Sequence, residues 1–458
     1  MLDKIYPVTC HTDHVGKGST FVVIKGMKED GAKYIAKAIE LGAKKVVIEK
    51  DCAHLVRDIK NIEIEFVDNA RKALAVLSAQ AYGFPAKKLK IIGITGTKGK
   101  TTTTFLTEHI LKTAGYKTAL LSTVKNKILD KEFSTKLTTA QPDYLHMFLS
   151  KAVQAGVEYV VMEVAAQALS LYRVYGIEFD AVIFTNFSQE HAEFYSNLDE
   201  YFEAKVSILK QLKKNAPFIF NLDDEKVFTL KNSVQNSLSF SLNDISILKN
   251  SLSGIEIEVD DCKISCPALV GKFNIYNILA AIKLCKNFDV SNSDLQKACV
   301  EFTGVPGRLD KISLRNGSTA FIDYAHNPAS FDAVLNALRP YTNHLIVLFG
   351  AGGDRDAQKR PMMGDIAAKI ADVVILTTDN PRSEDPRIIT EQIYNGINAS
   401  QKTKVFIELD REQAIKLAYK ISSSSSTIMC LGKGPDEYQI VQGITYPFSE
   451  KNILKSLI

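Results

Sequence analysis

The sequence predicts an α/β fold built from several domains, and three observations carry that expectation. First, the apolar run 89–94 leads into Gly93-Ile-Thr-Gly-Thr-Lys-Gly-Lys-Thr-Thr-Thr-Thr104, and the following Phe105, Leu106, His109, Ile110 and Ala114 fall at helical spacing. Second, residues 159–164 and 181–186 are continuous apolar runs of the kind buried on both faces of a parallel sheet. Third, beyond the turn Gly304-Val-Pro-Gly-Arg308, five short apolar runs alternate with helix-length segments, a Rossmann-like rhythm. At 458 residues the chain is too long for one core, and two to four domains are expected.

Composition narrows the functional class. Apolar residues make up 46% and charged residues 24%, as in ordinary globular proteins. A net charge of +4 is small for this length and gives no reason to expect nucleic acid as a partner. No apolar run approaches the roughly 20 residues of a membrane span. The start, Met1-Leu-Asp-Lys-Ile-Tyr, lacks a basic region followed by an apolar core. Seven scattered cysteines form no disulfide or zinc pattern, which suits a reducing compartment. A cytoplasmic protein is therefore expected.

In chain order, residues 21–25 form a strand, and Ile35, Ala38 and Ile39 a helix stopped by Gly42. Residues 45–49 and 64–67 are further strands, and Asn69 is placed to cap a helix running to Tyr82. Pro85 and the lysine-rich 86–90 then break the pattern, giving a first domain of 1–87. The second domain, 88–306, opens with the glycine-bearing turn and continues through a helix over 197–212. Residues 218–264 alternate weakly and suggest a strand-rich excursion, with helices at 275–285 and 294–301. The third domain, 307–458, has strands at 321–324, 345–349, 373–377, 405–408 and 428–431. The run Ser422–Ser426 is expected to be a solvated loop.

The turn between strand and helix at 96–102 aims backbone N–H groups along a helix axis, a ready anion site. Lys100 supplies a mobile positive charge for terminal phosphates, and the Thr101 hydroxyl can ligate Mg²⁺. The strict P-loop pattern has a glycine where Ile94 stands, so Gly96 and Gly99 must form the turn alone. Glu163 ends the run Tyr-Val-Val-Met-Glu, at the carboxyl end of a parallel strand, where open sheets bind ligands. His191 follows the next such run. Lys205, fourteen residues on, falls on the apolar stripe of its helix, where an ammonium requires a partner or a modification. Three polar clusters follow strands in the third domain: Asp323-Tyr-Ala-His-Asn-Pro328, Gly350-Ala-Gly-Gly-Asp-Arg-Asp356 and Asp379-Asn-Pro-Arg382.

Taken together these residues resemble the Mur ligase family of ATP-dependent amide-forming enzymes. The resemblance rests on Thr95-Gly-Thr-Lys-Gly-Lys-Thr-Thr102, Val161-Met-Glu-Val, His191 with Lys205, Gly271-Lys-Phe-Asn-Ile-Tyr-Asn277, Gly307-Arg308 and Asp323-Tyr-Ala-His326. Residues 350–356, 379–382 and Gly432-Lys-Gly434 narrow it to the branch that adds a third amino acid, and the match runs from about residue 15 to the C-terminus.

The resemblance implies a three-domain architecture: a UDP-sugar-binding domain, a central P-loop ATPase and a Rossmann-like amino-acid-binding domain. It implies ATP and Mg²⁺ as cofactors and an acyl-phosphate intermediate. Its substrates would be UDP-N-acetylmuramoyl-dipeptide and meso-diaminopimelate, and a monomer is expected. It assigns Gly96, Thr97, Lys98, Gly99, Lys100, Thr101, Thr102, Asn277, Arg308, Asp323 and His326 to ATP, and Lys100, Glu163, His191 and Lys205 to catalysis. Thr101, Glu163, His191 and Lys205 would hold metal, the last as a carbamate. Thr12, Thr138, Thr139, Ala165 and Arg173 fall to the UDP-sugar. Arg355, Asp379, Asn380, Pro381, Arg382, Gly432 and Asp436 fall to the amino acid.

The chain departs from the family pattern at several points. An early Asp-Ser-Arg reads His11-Thr-Asp13, a Ser-Ser-His reads Ala165-Ala-Gln167, and a glutamine is replaced by Leu171. Gly-Lys-Gly-His-Glu reads Gly432-Lys-Gly-Pro-Asp436. These losses leave open a related ligase acting on a different carboxylate, or a non-catalytic nucleotide-binding protein on the same scaffold.

Overall fold

The computed structural model describes residues 2–26, 29–189 and 194–458. The chain forms two compact units: Met1–Asp244 with Tyr276–Ala298, and Ile245–Ile275 with Cys299–Ile458.

The first unit contains two sheets. The smaller is parallel, in the order Val8–Thr9, Thr20–Val22, Lys45–Glu49 and Glu63–Val67. Strand alternation decides its faces: Phe21, Val46 and Ile48 pack with Ile35 and Ala38, while Val22 and Val47 pack with Ala70 and Leu74. The helix Ala70–Ala81 starts as expected, with the Asn69 side chain accepting from Lys72 N–H.

The larger sheet has eight strands, in the order Ser237–Phe240, Phe218–Asn221, Ala181–Phe184, Lys90–Thr95, Tyr159–Glu163, Thr118–Leu121, Asn126–Ile128 and Lys131–Phe133. All neighbours are parallel until the last two strands, which fold back antiparallel. Lys90–Thr95 lies centrally and is buried apart from Lys90. From it the chain first winds to one side, then returns to build the other from Ala181–Phe184 outward. The carboxyl ends of these two neighbours are therefore a topological switch point.

The strand-rich excursion expected over 218–264 is corrected. Phe218–Asn221 and Ser237–Phe240 belong to the parallel sheet, and only Ile245–Ser251, Gly254–Val259 and Cys262–Cys266 form a separate antiparallel sheet. Weak alternation misled because Phe218–Asn221 is buried along its whole length and Ser237–Phe240 is half-buried along most of its own, so neither alternates. The helix expected over 197–212 is α-helical only over Leu198–Val206 and tightens to 3₁₀ over Ser207–Gln211.

The second unit centres on a six-stranded sheet. Its order is Asp310–Ser313, Thr319–Asp323, Ser426–Leu431, His344–Phe349, Val373–Leu376 and Val405–Ile407, antiparallel only at the first pair. Phe321, Val347 and Met429 pack toward the helices Pro328–Leu338 and Lys359–Ile370, while Ile346, Ile375 and Cys430 pack toward Arg411–Ile421 and Glu450–Lys455. It is a doubly wound layer. The serine run is split: Ser423 to Ser425 are exposed, but Ser426 begins a strand, is buried, and lies 2.9 Å from His344 Nδ1.

Candidate functional site

The glycine turn expected to hold phosphate sits at the switch point. Gly96 (φ 136°) and Gly99 (φ 82°) both lie in the region that only glycine enters freely. Space demands glycine too. A Cβ on Gly96 would come within 2.0 Å of Thr185 Oγ1, and one on Gly99 within 2.3 Å of Asn277 Oδ1. The helix Lys100–Thr113 starts at Gly99 with no side-chain cap, leaving its first N–H groups for an anion.

The neighbouring strand end clasps the loop. Thr97 N–H donates to the Asn186 carbonyl and Lys98 N–H to Asn186 Oδ1, each at 2.9 Å, while Thr185 Oγ1 donates to the Lys98 carbonyl at 2.7 Å. Thr103 Oγ1 reaches Asn277 Oδ1 at 3.2 Å, so Asn277 returns to the loop from far along the chain. Thr102 is buried at the start of the helix. Lys100 folds back, its Nζ donating to the carbonyls of Gly96 (2.9 Å) and Thr97 (2.8 Å). It stands over the loop that would hold phosphate.

Thr101 and Glu163 come together, with the hydroxyl donating to Glu163 Oε2 at 3.1 Å. Glu163 is buried, and Thr123 holds it further through its backbone N–H at 2.8 Å and its hydroxyl at 3.2 Å. A hydroxyl and a carboxylate oxygen side by side are the hard donors that Mg²⁺ takes when phosphates complete its shell. Among the described residues no group of three or more His, Cys, Asp or Glu could hold a metal unaided. Lys205 is buried; its Nζ donates to the Gly96 carbonyl at 2.7 Å and lies 4.5 Å from the centre of the Tyr201 ring. The cation on the apolar stripe thus lies against the glycine turn. His191 lies outside the described residues.

The residues matched to the UDP-sugar cluster beyond Glu163. Thr139 Oγ1 donates to the Glu163 carbonyl (2.9 Å) and accepts from Ala165 N–H (3.0 Å), and Thr138 Oγ1 lies 3.0 Å from Thr123 Oγ1. Arg173 Nη1 donates to the Thr139 carbonyl at 3.0 Å, while its Nε–H has no partner among the described residues. Burial, with Arg71 nearby, pulls the Arg173 pKa below the ordinary guanidinium value. Thr12 is buried in the turn Thr12–His14; two residues before it, burial and the Asp143 charge push the Cys10 thiol up, with Arg71 and Arg173 opposing weakly.

The second unit carries its own set. Asp323 is buried at a strand end and accepts from Leu309 N–H (2.8 Å) and Ala325 N–H (2.9 Å). Burial pushes its pKa up, and Arg308 opposes that shift. The Arg308 guanidinium lies 5.3 Å from the Tyr324 ring centre. His326 Nδ1 is 2.7 Å from the Tyr324 carbonyl, and burial lowers its pKa.

Asp379 and Asn380 are buried beside Lys433, whose Nζ is 3.5 Å from Asp379 Oδ1 and donates to Asn380 Oδ1 at 3.2 Å. Gly432 (φ 105°) allows the approach, since a Cβ there would sit 2.7 Å from Asp379 Oδ2. Pro381 is buried next to Arg382, which adopts φ 53° and donates from Nη1 to the Gly353 carbonyl at 2.7 Å. An alternative pairing of Arg382 with Glu384 or Asp385 does not occur: Glu384 binds Arg360, and Asp385 caps the helix Pro386–Asn395. Arg355 is exposed in the same glycine-rich turn. Burial raises the Asp436 pKa, with Lys433 opposing.

Sequence reasoning gave no role to Thr123, the Thr185-Asn186 clasp or Arg360, and it quoted Lys433 only as part of Gly432-Lys-Gly434. The polar pair at the end of 181–186 and the glycines flanking Lys433 were the local signals.

Residues 94–285 match the Mur ligase middle domain and residues 307–434 the Mur ligase glutamate ligase domain. A UDP-N-acetylmuramoyl-L-alanyl-D-glutamate–2,6-diaminopimelate ligase from Clostridium botulinum is 37% identical, over 97% of this chain and 93% of its own. The enzyme of the same name from Aquifex aeolicus is 36% identical, over 100% and 94%. A solved structure of a ligase of this name aligns with TM-score 0.68 at 26% identity, covering 99% of this chain and 94% of that one. A MurF ligase from Thermotoga maritima, solved with ADP, shares the fold at TM-score 0.63 and 18% identity, over 93% and 94%. With a family-type phosphate loop at the switch point and kinship running nearly end to end, the chain belongs to the Mur ligase family.

Proposed function

We infer that this protein is the ATP-dependent ligase that joins meso-diaminopimelate to UDP-N-acetylmuramoyl-L-alanyl-D-glutamate in peptidoglycan precursor synthesis. The observation that carries this reading is 37% identity across 97% of the chain to a relative of that activity. The phosphate loop built at the switch point supports it. The division into domains 1–87, 88–306 and 307–458 goes with the reading. No helix among the described residues is long and apolar enough to cross a membrane.

In this reading the acceptor carboxylate attacks the γ-phosphorus of ATP, releasing ADP, and the amine of diaminopimelate then displaces phosphate from the acyl phosphate. Lys100 leaves the carbonyls of Gly96 and Thr97 and turns to the phosphate oxygens, where its charge offsets what develops in transfer. The loop N–H groups, fixed by Asn186, orient the triphosphate. Mg²⁺, when bound, supplies further neutralisation of the phosphates; the Thr101 hydroxyl and Glu163 carboxylate are the groups that would hold it. Arg308, Asp323 and His326 are assigned to the nucleotide. Arg173, with its spare Nε–H, and Thr138, Thr139, Ala165 and Thr12 are assigned to the nucleotide sugar. Arg382, Arg355 and Asp436 are assigned to diaminopimelate, with Asp379, Asn380, Pro381 and Gly432 shaping their turn.

The test is release of phosphate from ATP with each acceptor. Release is expected to require both UDP-N-acetylmuramoyl-L-alanyl-D-glutamate and diaminopimelate. A protein that binds ATP yet shows no acceptor-dependent release is a binding module, and the reading fails.

Lys205 is proposed to be carbamylated. Its neutral ε-amine adds to CO₂, a proton leaves, and the remaining N–H can still serve the Gly96 carbonyl while the new carboxylate extends beyond it. Such a carboxylate would join His191 as a metal ligand. Lys205→Ala is expected to be inactive and partly rescued by short carboxylates. Full wild-type activity without a carbamate carbon signal from isotope-labelled bicarbonate contradicts the modification.

A further inference from the structure

Arg360, on the helix Lys359–Ile370, is fully buried, with none of its side chain exposed. A buried guanidinium is costly unless its donors are satisfied, so what it holds is informative. Its Nη1 and Nη2 grip Glu384 at 2.7 and 2.9 Å, a bidentate fork, and also donate to Gln392 Oε1 (2.6 Å) and the Gly352 carbonyl (3.1 Å). Glu384 Oε1 in turn accepts from Asp354 N–H at 2.5 Å. The Arg360 fork holds the Glu384 carboxyl below the usual carboxylate range.

These contacts join two separate turns. Gly352 and Asp354 belong to the glycine-rich turn 350–356, while Glu384 belongs to the turn 379–385. Between the anchored residues lies Gly353, whose N–H donates to the Asn380 carbonyl at 2.9 Å and whose carbonyl receives Arg382. The turns are so close here that a Cβ on Gly353 would sit 1.8 Å from the Pro381 carbonyl oxygen. Ser383 Oγ donates to Asp354 Oδ1 at 2.5 Å, a further stitch. The direction of the Arg382 guanidinium therefore depends on where the Gly353 carbonyl stands, and both neighbours of Gly353 are held by the Arg360–Glu384 pair.

We propose that Arg360 is a positioning residue for amino-acid selectivity: with Glu384 it locks the two turns together and so fixes the Arg382 guanidinium for the distal carboxylate of diaminopimelate. This rests on the function given above. Arg360, having no exposed surface, acts only through the turns. A bidentate guanidinium–carboxylate contact is geometrically demanding, and a displacement of about 1 Å can cost about 100-fold.

The test is a double-mutant cycle of Arg360→Met and Arg382→Ala in the full-length protein, with steady-state kinetics for each substrate. Arg360→Met is expected to raise the KM for diaminopimelate about 10- to 100-fold, leave the KM for ATP unchanged within about twofold, and erode the preference over lysine. In the Arg382→Ala background the same change is expected to add less than about twofold, because residues acting as one unit are not additive. Glu384→Gln keeps the side-chain shape at a half-exposed position and is expected to give the same pattern more weakly, should Arg360→Met not fold. Equal rises in KM for all substrates, or effects that multiply across the cycle, overturn the proposal. The wild type's amino-acid preference is measured first, and the cycle is read on the amino acid it uses. Failure of the substrate assignment thus appears in the wild type alone, and failure of the positioning role in the variants.

Discussion

Lys100→Ala is expected to lower acceptor-dependent ATP turnover by at least about 10³-fold while leaving the unfolding midpoint close to that of the wild type. The residue sits at the start of its helix with its ammonium on loop carbonyls, not in the apolar core. Its removal costs the loop two hydrogen bonds, but the Asn186 and Thr185 contacts remain to hold the turn. What disappears is a charge placed where phosphate oxygens gather, and such charge matters most as bonds break. Steady-state phosphate release at saturating Mg²⁺, together with thermal unfolding, checks both halves. Turnover near the wild-type rate removes the loop from its central role.

Arg382→Ala is expected to raise the KM for diaminopimelate far more than that for ATP, by about 10²-fold or more, since a site built to pair a charged group is left with none. The backbone at Arg382 adopts φ 53° and bridges to the strand Tyr438–Val441: its N–H donates to the Ile440 carbonyl at 3.0 Å, and its carbonyl accepts from Gln442 N–H at 2.6 Å. Alanine keeps those backbone bonds, so the loss falls on the guanidinium. Lysine carries no distal carboxylate, and its poor use is expected to change little in the variant. A matching fall for both amino acids would place Arg382 on a group they share.

Much of this was legible because it is local. The phosphate loop declares itself within a dozen residues, since strand, glycine turn, lysine and hydroxyl must be consecutive to work. Glu163 was readable from the end of an apolar run, and Lys205 from a cation on an apolar stripe. The rest depends on contacts that no local pattern encodes. Thr123 reaches Glu163 across forty residues, and Arg360 meets Glu384 across twenty-four. The strands Phe218–Asn221 and Ser237–Phe240 looked like an excursion because sheet membership is settled by pairing partners, here Ala181–Phe184 and then each other. Ser426 looked solvated within its serine run, yet its neighbours Thr319–Asp323 and His344–Phe349 draw it into a buried strand.

The central claim is a single bond made to a single amino acid. Its most direct test is the mass of the nucleotide product when the protein is given ATP, Mg²⁺, UDP-N-acetylmuramoyl-L-alanyl-D-glutamate, and meso-diaminopimelate and L-lysine in equal amounts. The account predicts the dipeptide nucleotide plus diaminopimelate less one water, with the lysine adduct lower by about 10³-fold or more. Comparable amounts of the lysine adduct, or no adduct alongside measurable ATP binding, would contradict it.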